Sequence, residues 1–160
     1  MGDSTRKIKL VCGRLCSGKD FIINRHYKRY DVISVSDIVK SIVESNDRAI
    51  LQDTKHLDSE IIEQLKVLYS PRLVINGIRQ MSIISGMLGS NPAETVEVVW
   101  VCCPEDVRRD RYYDREDVKD SQLTFEEADE SDSKLGLLQI ESYILNNLEK
   151  PYVELIFNKG

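Results

Sequence analysis

The sequence contains few of the residues that mark extracellular, metal-binding or redox proteins. Its 160 residues include four cysteines, two histidines and one tryptophan. The cysteines match no zinc-ligand spacing, and the adjacent pair Cys102 and Cys103 is a poor disulfide candidate. Three of the four, Cys12 included, lie in apolar runs that predict strands, where cysteine behaves as a small hydrophobic residue. We therefore expect a reducing cytoplasmic setting, with redox or metal chemistry at the cysteines as the lesser alternative.

Long apolar runs and an excess of positive charge are also missing. No run approaches the roughly 20 apolar residues that a membrane span needs, and residues 1–9 are too polar for a signal-peptide core. We therefore expect no membrane partner. The net charge of −5 argues against a surface that coats nucleic acid, although a local basic patch stays open. The apolar fraction of 41% is enough for the core of one domain spanning residues 1–160.

Strand and helix patterns alternate along the chain. β-rich runs predict strands over 7–12, 31–35, 72–76, 96–102 and 153–157. Apolar stripes and capping residues predict helices between them, including one that Ser36 or Asp37 caps and one that begins with a capping box at Thr124. This alternation predicts an α/β fold of three α/β/α layers around a five-stranded parallel sheet.

The most specific motif is a Gly-x-x-x-x-Gly-Lys loop over residues 13–19, between the first strand and the first helix. Such a loop turns backbone N–H groups inward, and the helix that follows adds the positive end of its dipole. We expect it to bind the phosphates of ATP, with Lys19 reaching the transferred group. The alternative is a glycine-rich turn with a surface lysine. The predicted ATP-binding residues are Gly13, Arg14, Cys16, Ser17, Gly18, Lys19, Asp20, Phe21 and Arg108.

Two positions depart from the usual form of this motif. Ser or Thr normally follows the lysine and binds Mg²⁺, but here the residue is Asp20. The third strand normally ends in an acidic residue near the metal, but here it ends in Asn76. We hypothesise that the carboxylate has moved from the strand end to the loop, so that Asp20 is the Mg²⁺ ligand. The alternative is that Asp20 only stabilises the start of its helix.

Phosphoryl transfer also needs a group that orients the acceptor, cations and a lid. Asp37 follows the second strand and could accept a proton from an acceptor hydroxyl, or serve only as a helix cap. Arg79 follows the third strand and could bind phosphate, or form a surface ion pair. Arg108, Arg111 and Arg115 share a predicted helix face that suits a lid, or that pairs with Asp110, Asp114 and Glu116. The predicted catalytic residues are Lys19, Asp37, Arg79, Arg111 and Arg115.

Three further features complete the sequence prediction. The polar, acidic stretch up to residue 133 predicts a lid over 111–133, between core segments 7–110 and 134–158. The basic-aromatic run over 25–30 could contact nucleic acid, but such a run is more often a solvated helix end. The acidic residues at 126, 127, 129, 130 and 132 are interpreted as a solvated face, with a metal or substrate role as the alternative. Trp100 is predicted to belong to the core.

Several segments resemble P-loop nucleotide kinases. Gly18-Lys19-Asp20 looks like the loop of phage deoxynucleoside monophosphate kinases, and Asn76-Gly77-Ile78-Arg79 resembles the Asp-Gly-x-x-Arg segment of nucleoside monophosphate kinases. Segments 35–39, 124–129, 135–137 and 156–158 resemble dephospho-coenzyme A kinases. A narrower resemblance, to phage kinases of 5-hydroxymethyluracil in DNA, rests on residues 16–19, 36–39, 57–58 and 77–80. The resemblance implies a P-loop kinase fold with a helical lid, ATP and Mg²⁺ as cofactors and Asp37 as the base. If the protein is viral, the cytoplasm would be that of its host.

The sequence leaves three functions open. The first is a kinase of a modified base in DNA, which requires that base to be flipped out of the stack. The second is a kinase of a free nucleoside monophosphate or a related small molecule. The third is a nucleotide-binding module without transfer activity, which Asn76 in place of an acid favours. A GTPase is disfavoured because no Asn-Lys-x-Asp motif is present. The oligomeric state is not predicted.

Overall fold

Five parallel strands form the centre of the molecule. The computed structural model describes residues 6–43, 57–68, 70–88, 94–115 and 123–158. Within them the strands are β1 (Arg6–Gly13), β2 (Asp31–Ser34), β3 (Arg72–Asn76), β4 (Glu94–Cys102) and β5 (Val153–Phe157). Their order in the sheet is β2-β3-β1-β4-β5, and every neighbouring pair is parallel. The predicted α/β fold with a five-stranded parallel sheet is confirmed.

Helices connect the strands. The described residues form α1 (Lys19–His26), α2 (Val35–Val43), α3 (Asp58–Val67), α4 (Met81–Leu88), α5 (Glu105–Asp114), α6 (Phe125–Asp132) and α7 (Leu138–Leu145). A π-helical turn, Ser133–Leu137, joins α6 to α7. The capping box predicted at Thr124 is present, because its hydroxyl accepts from the Glu127 amide and the Glu127 carboxylate accepts from the Thr124 amide. Residues 116–122 of the predicted lid, which include Glu116 of the alternative interpretation, lie outside the described residues.

Both faces of the sheet are buried, as expected for parallel strands. Ile8 and Leu10 of β1 belong to the larger core cluster, which lies on one face. Val11 belongs to a smaller cluster on the other face. Trp100 in β4 packs in the larger cluster and is 4% exposed, which confirms its prediction as a core residue. Packing on both faces therefore holds the central strands β1 and β4 in place, and with them the start of the loop that follows each strand.

The second helix begins earlier than the sequence predicts. Helix α2 starts at Val35, directly after β2, and the Ser34 hydroxyl accepts from the Asp37 amide at 3.2 Å. The predicted caps, Ser36 and Asp37, are therefore wrong, because Ser34 already satisfies an amide of the first turn. Asp37 lies in the first turn of α2 with an exposed side chain.

The basic-aromatic run lies at the end of α1 farthest from the glycine-rich loop. Helix α1 has eight residues and is therefore about 12 Å long. Tyr27 is buried in the smaller core cluster, and its ring meets that of Tyr30 edge-on at 5.4 Å. A buried ring cannot stack on a base, so these contacts favour the packing interpretation of this run. Across the described ranges, every helix is too short or too polar to cross a bilayer.

Candidate functional site

The loop over residues 13–19 has the backbone geometry that phosphate binding requires. Cys16 and Gly18 adopt left-handed φ values of 61° and 85°. A Cβ at Gly18 would lie 2.2 Å from Nδ2 of Asn158 and 2.8 Å from Nη1 of Arg111, so only glycine fits. Helix α1 begins at the next residue, and its N-terminal amides face the loop opening. The loop therefore has the left-handed turn and the helix start that the predicted phosphate binding needs.

Lys19 lies in the first turn of α1, with its charge held close to the loop. Its Nζ donates to the Gly13 carbonyl at 3.5 Å. Burial lowers the pKa of Lys19, and the nearby positive charge of Arg79 lowers it further. Asp132 and Asp20 act in the opposite direction on the same pKa. The loop lysine therefore shares its surroundings with an arginine that follows β3 and with two carboxylates.

Asp20 stands beside the end of β3, as the shifted-acid hypothesis requires. Asn76 pairs with Val11 across the β1–β3 register, and its Nδ2 donates to Asp20 Oδ1 at 3.0 Å. Asn76 Oδ1 is buried and has no hydrogen-bond partner among the residues that the structure describes. One carboxylate beside a phosphate-binding loop suits Mg²⁺, which takes one or two protein carboxylates together with water and substrate phosphates. No cluster of three metal-ligating side chains occurs in the described part of the chain.

Two of the predicted arginines lie at the loop opening. Arg111 and Arg115 line a cavity of about 390 Å³ together with residues 16–20. Arg111 Nη1 donates to the Cys16 carbonyl at 3.2 Å, and Arg115 Nη1 lies 3.6 Å from Cys16 Sγ. Helix α5 ends at Asp114, so the prediction that Arg115 shares a helix face with the other arginines is wrong. Its side chain nevertheless reaches the loop through the contact with Cys16.

Arg108 and Arg14 lie behind the loop. Arg108 is 4% exposed and donates to the Leu15 carbonyl at 3.2 Å and to Asp129 at 2.8 Å. Arg14 forms a two-pronged pair with Glu141 of α7 at 2.8 and 2.7 Å. This hydrogen bond raises the pKa of Arg14 and lowers that of Glu141. Both arginines thus support the loop from behind, while their predicted contact with ATP stays a prediction.

The acidic run of α6 supplies partners for these arginines. Asp129 is buried against Arg108, and Asp132 is buried against Arg79, with an Nε to Oδ1 distance of 2.7 Å. Glu126 pairs with Arg109 at the surface. The interpretation of the whole run as a solvated face is therefore wrong, because two of its carboxylates neutralise buried or partly buried guanidinium groups.

The residues predicted to serve the acceptor follow the ends of β2 and β3. The carboxylate of Asp37 forms no hydrogen bond or ion pair with the described residues, since only its backbone amide is engaged. A second cavity, of about 450 Å³, opens between the starts of α3 and α4 and the π-helical turn. Asp58 and Gln80 line this cavity, and Gln80 directly follows Arg79 in the sequence. Phe21, a predicted ATP contact, is 55% exposed on α1.

Sequence reasoning missed Asn158, which follows β5. Its Nδ2 donates to the Ser17 carbonyl at 3.1 Å, and its Oδ1 accepts from Arg111 Nη2 at 3.4 Å. Its amide donates to the Cys102 carbonyl at 2.7 Å. The available signal was its position at the end of the last strand, because the ends of all parallel strands meet at the site edge.

Comparison with known proteins defines the fold class. No protein-family model matches the chain, and neither does any curated protein. Shikimate kinase from Acinetobacter baumannii, solved in complex with shikimate, matches with a TM-score of 0.56 at 13% identity, over 99% of this chain and 87% of that chain. TT1252 from Thermus thermophilus matches with a TM-score of 0.48 at 16% identity, over 98% and 90%.

The chain therefore has a three-layer α/β fold similar to that of shikimate kinase. At such low identity the likeness defines the fold alone. The narrower resemblance to phage kinases of 5-hydroxymethyluracil receives no support from these matches.

Proposed function

We propose that the protein is an ATP-dependent, Mg²⁺-requiring kinase of a nucleotide-type acceptor, and that this acceptor is the hydroxymethyl group of 5-hydroxymethyluracil in DNA. The observation that carries the kinase assignment is the cavity at the loop opening. There a left-handed glycine turn, Lys19 and Asp20 face Arg111 and Arg115. A site that only held a nucleotide would not need this many cations around the transferred group.

The residues suggest a simple course for the reaction. Backbone amides of the loop and the start of α1 bind the ATP phosphates, and Lys19 with Arg111 and Arg115 neutralises the charge that develops on the γ-phosphoryl group. Asp37 accepts the proton of the acceptor hydroxyl as its oxygen bonds to the γ-phosphorus and the bond to the β-phosphate oxygen breaks. The products are the phosphorylated acceptor and ADP. Asp20 would hold Mg²⁺, which would supply further neutralisation of the phosphate charge.

The choice of a DNA base rests mainly on the sequence resemblance. Two of its segments, 57–58 and 77–80, meet at the 450 Å³ cavity through Asp58 and Gln80, so these residues are candidates for contact with the acceptor. A single flipped base fits a concave site of this size.

A small-molecule acceptor is the second candidate. The net charge of −5 gives little attraction for a DNA backbone, and the buried Tyr27 cannot stack on a base. The same cavity is large enough for a free nucleotide. The third candidate is a nucleotide-binding module, which Asn76 at the end of β3 favours.

Transfer of label from γ-labelled ATP with Mg²⁺ separates the three candidates. DNA containing 5-hydroxymethyluracil and free deoxynucleoside monophosphates, including that of 5-hydroxymethyluracil, are offered in parallel. Label in DNA alone supports the proposal, and label in the free nucleotides alone supports the second candidate. ATP binding without transfer to either supports the third.

Two variants serve as controls for this assay. Lys19→Ala should abolish transfer by a kinase, because the transferred group loses its nearest cation. Lys66→Ala removes an exposed lysine of α3 outside the site, and should retain wild-type transfer.

A further inference from the structure

We propose that Asp132 is a positioning residue that holds the Arg79 guanidinium beside Lys19, so that Arg79 stabilises the phosphoryl group in flight. This inference rests on the proposed kinase function. It assigns a mechanistic role to a carboxylate of α6 that the sequence placed on a solvated face. Asp132 itself acts through Arg79.

The contact between the two side chains has the form that such a role needs. Asp132 is 8% exposed, and its Oδ1 accepts from Arg79 Nε at 2.7 Å. Because Asp132 engages Nε, and the described residues supply no hydrogen-bond partner to the two terminal NH₂ groups of Arg79, these groups are left for other acceptors. A guanidinium held in this way keeps a two-pronged donor edge for phosphate oxygens.

The backbone of Arg79 is held by the same segment. The π-helical turn that follows Asp132 packs onto the Arg79 carbonyl, and a Cβ on Gly136 would lie 2.2 Å from that oxygen. Gly136 adopts φ 132°, which side-chain-bearing residues rarely adopt. The segment 132–136 therefore contacts both the side chain and the main chain of Arg79, which limits the positions that the guanidinium can take.

The position so fixed lies near the transferred group. Arg79 follows the end of β3 by three residues, and Asn76 at that end donates to Asp20, the sequence neighbour of Lys19, at 3.0 Å. Consistent with this placement, Arg79 and Asp132 influence the pKa of Lys19 in opposite directions. Asp132 offsets the repulsion between Lys19 and Arg79, so that two cations can stand side by side before phosphate arrives. Removing the carboxylate would free Arg79 to turn away from Lys19.

The test compares Asp132→Asn with a matched control, Glu130→Gln. Both changes remove one negative charge from α6, but Glu130 pairs with Lys134 at the surface, where the Glu130 side chain is 69% exposed. The probes are ADP alone and ADP with aluminium fluoride, which mimics the phosphoryl group in flight; both are measured with Mg²⁺ by calorimetry. Neither probe requires a known acceptor.

We expect Asp132→Asn to weaken binding of the aluminium fluoride complex by about tenfold, which is less than the roughly 100- to 1000-fold loss on removing a donor outright, because Arg79 is displaced and not deleted. Binding of ADP alone should change by less than about twofold, and Glu130→Gln should change neither. In the Arg79→Ala background, Asp132→Asn should have no further effect, because the two residues act as one unit. An equal loss for both probes, or a full effect without Arg79, would overturn the proposal.

Failure of the kinase assignment would look different. A wild-type protein that binds ADP, but gains no affinity when aluminium fluoride is added, would contradict the proposed function and with it this role of Asp132. A wild-type protein that gains affinity, with Asp132→Asn gaining equally, would contradict only the role of Asp132.

Discussion

At the scale of single residues, the chemistry of the loop depends on where one negative charge stands. Asp20 occupies the position after the lysine, and Asn76 occupies the strand end where an acid is usual. Their side chains are hydrogen-bonded at 3.0 Å, so a carboxylate at either position would reach the same space. Asp20 in place of Ser or Thr and Asn76 in place of an acid are therefore one change, in which the carboxylate has moved between two neighbouring positions.

This exchange can be reversed by mutation. Asp20→Ser should raise the Mg²⁺ concentration for half-maximal transfer by at least about tenfold, because the only nearby loop carboxylate is lost. The double variant Asp20→Ser, Asn76→Asp has the hydroxyl after the lysine and the acid at the strand end, as in the usual motif. It should need a Mg²⁺ concentration close to that of the wild type. Asn76→Ala alone should have a smaller effect than Asp20→Ser. Magnesium titrations of the labelled-ATP assay measure all three, and a double variant no better than Asp20→Ser would contradict the exchange.

Residue-level prediction from the sequence succeeded where the backbone conformation is local. The glycines of the loop and the capping box at Thr124 follow from short-range rules, and both are present. Helix capping at Ser34 was missed because Ser36 and Asp37 are equally good caps by type, and only the exact end of β2 decides between them. Asn158 was missed because its contacts join positions 141 residues apart.

At the scale of elements, helix α6 has a structural role that its composition hides. From the sequence, its acidic residues were predicted to form a solvated face. In the structure Asp129 lies against Arg108, and the two side chains are 12% and 5% exposed, respectively. The Arg108 guanidinium in turn donates to the loop carbonyl of Leu15. Sequence pattern could not reveal this, since a carboxylate that faces water and one that faces a buried arginine occur at the same helical spacing.

The role of this ion pair can be measured by unfolding. Asp129→Asn leaves a buried guanidinium without its counter-charge and should lower the free energy of unfolding by about 3 kcal/mol. Glu126 lies on the same helix as Asp129, and Glu126→Gln breaks only its surface pair with Arg109, so it should cost far less than Asp129→Asn. Urea denaturation with matched slopes measures both. Equal losses for the two variants would contradict the bracing role of Asp129.

At the scale of the whole molecule, the alternation of strands and helices was enough to predict the parallel sheet, because its strands carry apolar residues toward both faces. The functional edge follows from that sheet, since the ends of β1, β3, β4 and β5 meet around one loop. Which arginines face the cavity and which lie behind it was not predictable. That division depends on how α5, α6 and α7 pack, which periodicity does not specify.

The same arrangement makes the loop part of the global folding unit. It follows the central strand β1, contacts Asn158 after the last strand, and is supported by Arg108 and by Glu141 through Arg14. A ligand on this loop should therefore oppose unfolding of the entire domain rather than of a local segment.

Nucleotide binding should accordingly raise the midpoint of a single thermal transition. ATP with Mg²⁺ at 100 times its dissociation constant adds about 2.7 kcal/mol, which corresponds to a rise of roughly 5 to 10 °C for a domain of this size. Lys19→Ala should lose most of that rise at the same ATP concentration, while Lys66→Ala should keep it. Differential scanning calorimetry measures the effect. A rise confined to one of two separate transitions would mean that the loop unfolds apart from the sheet, and an undiminished rise in Lys19→Ala would mean that ATP binds elsewhere.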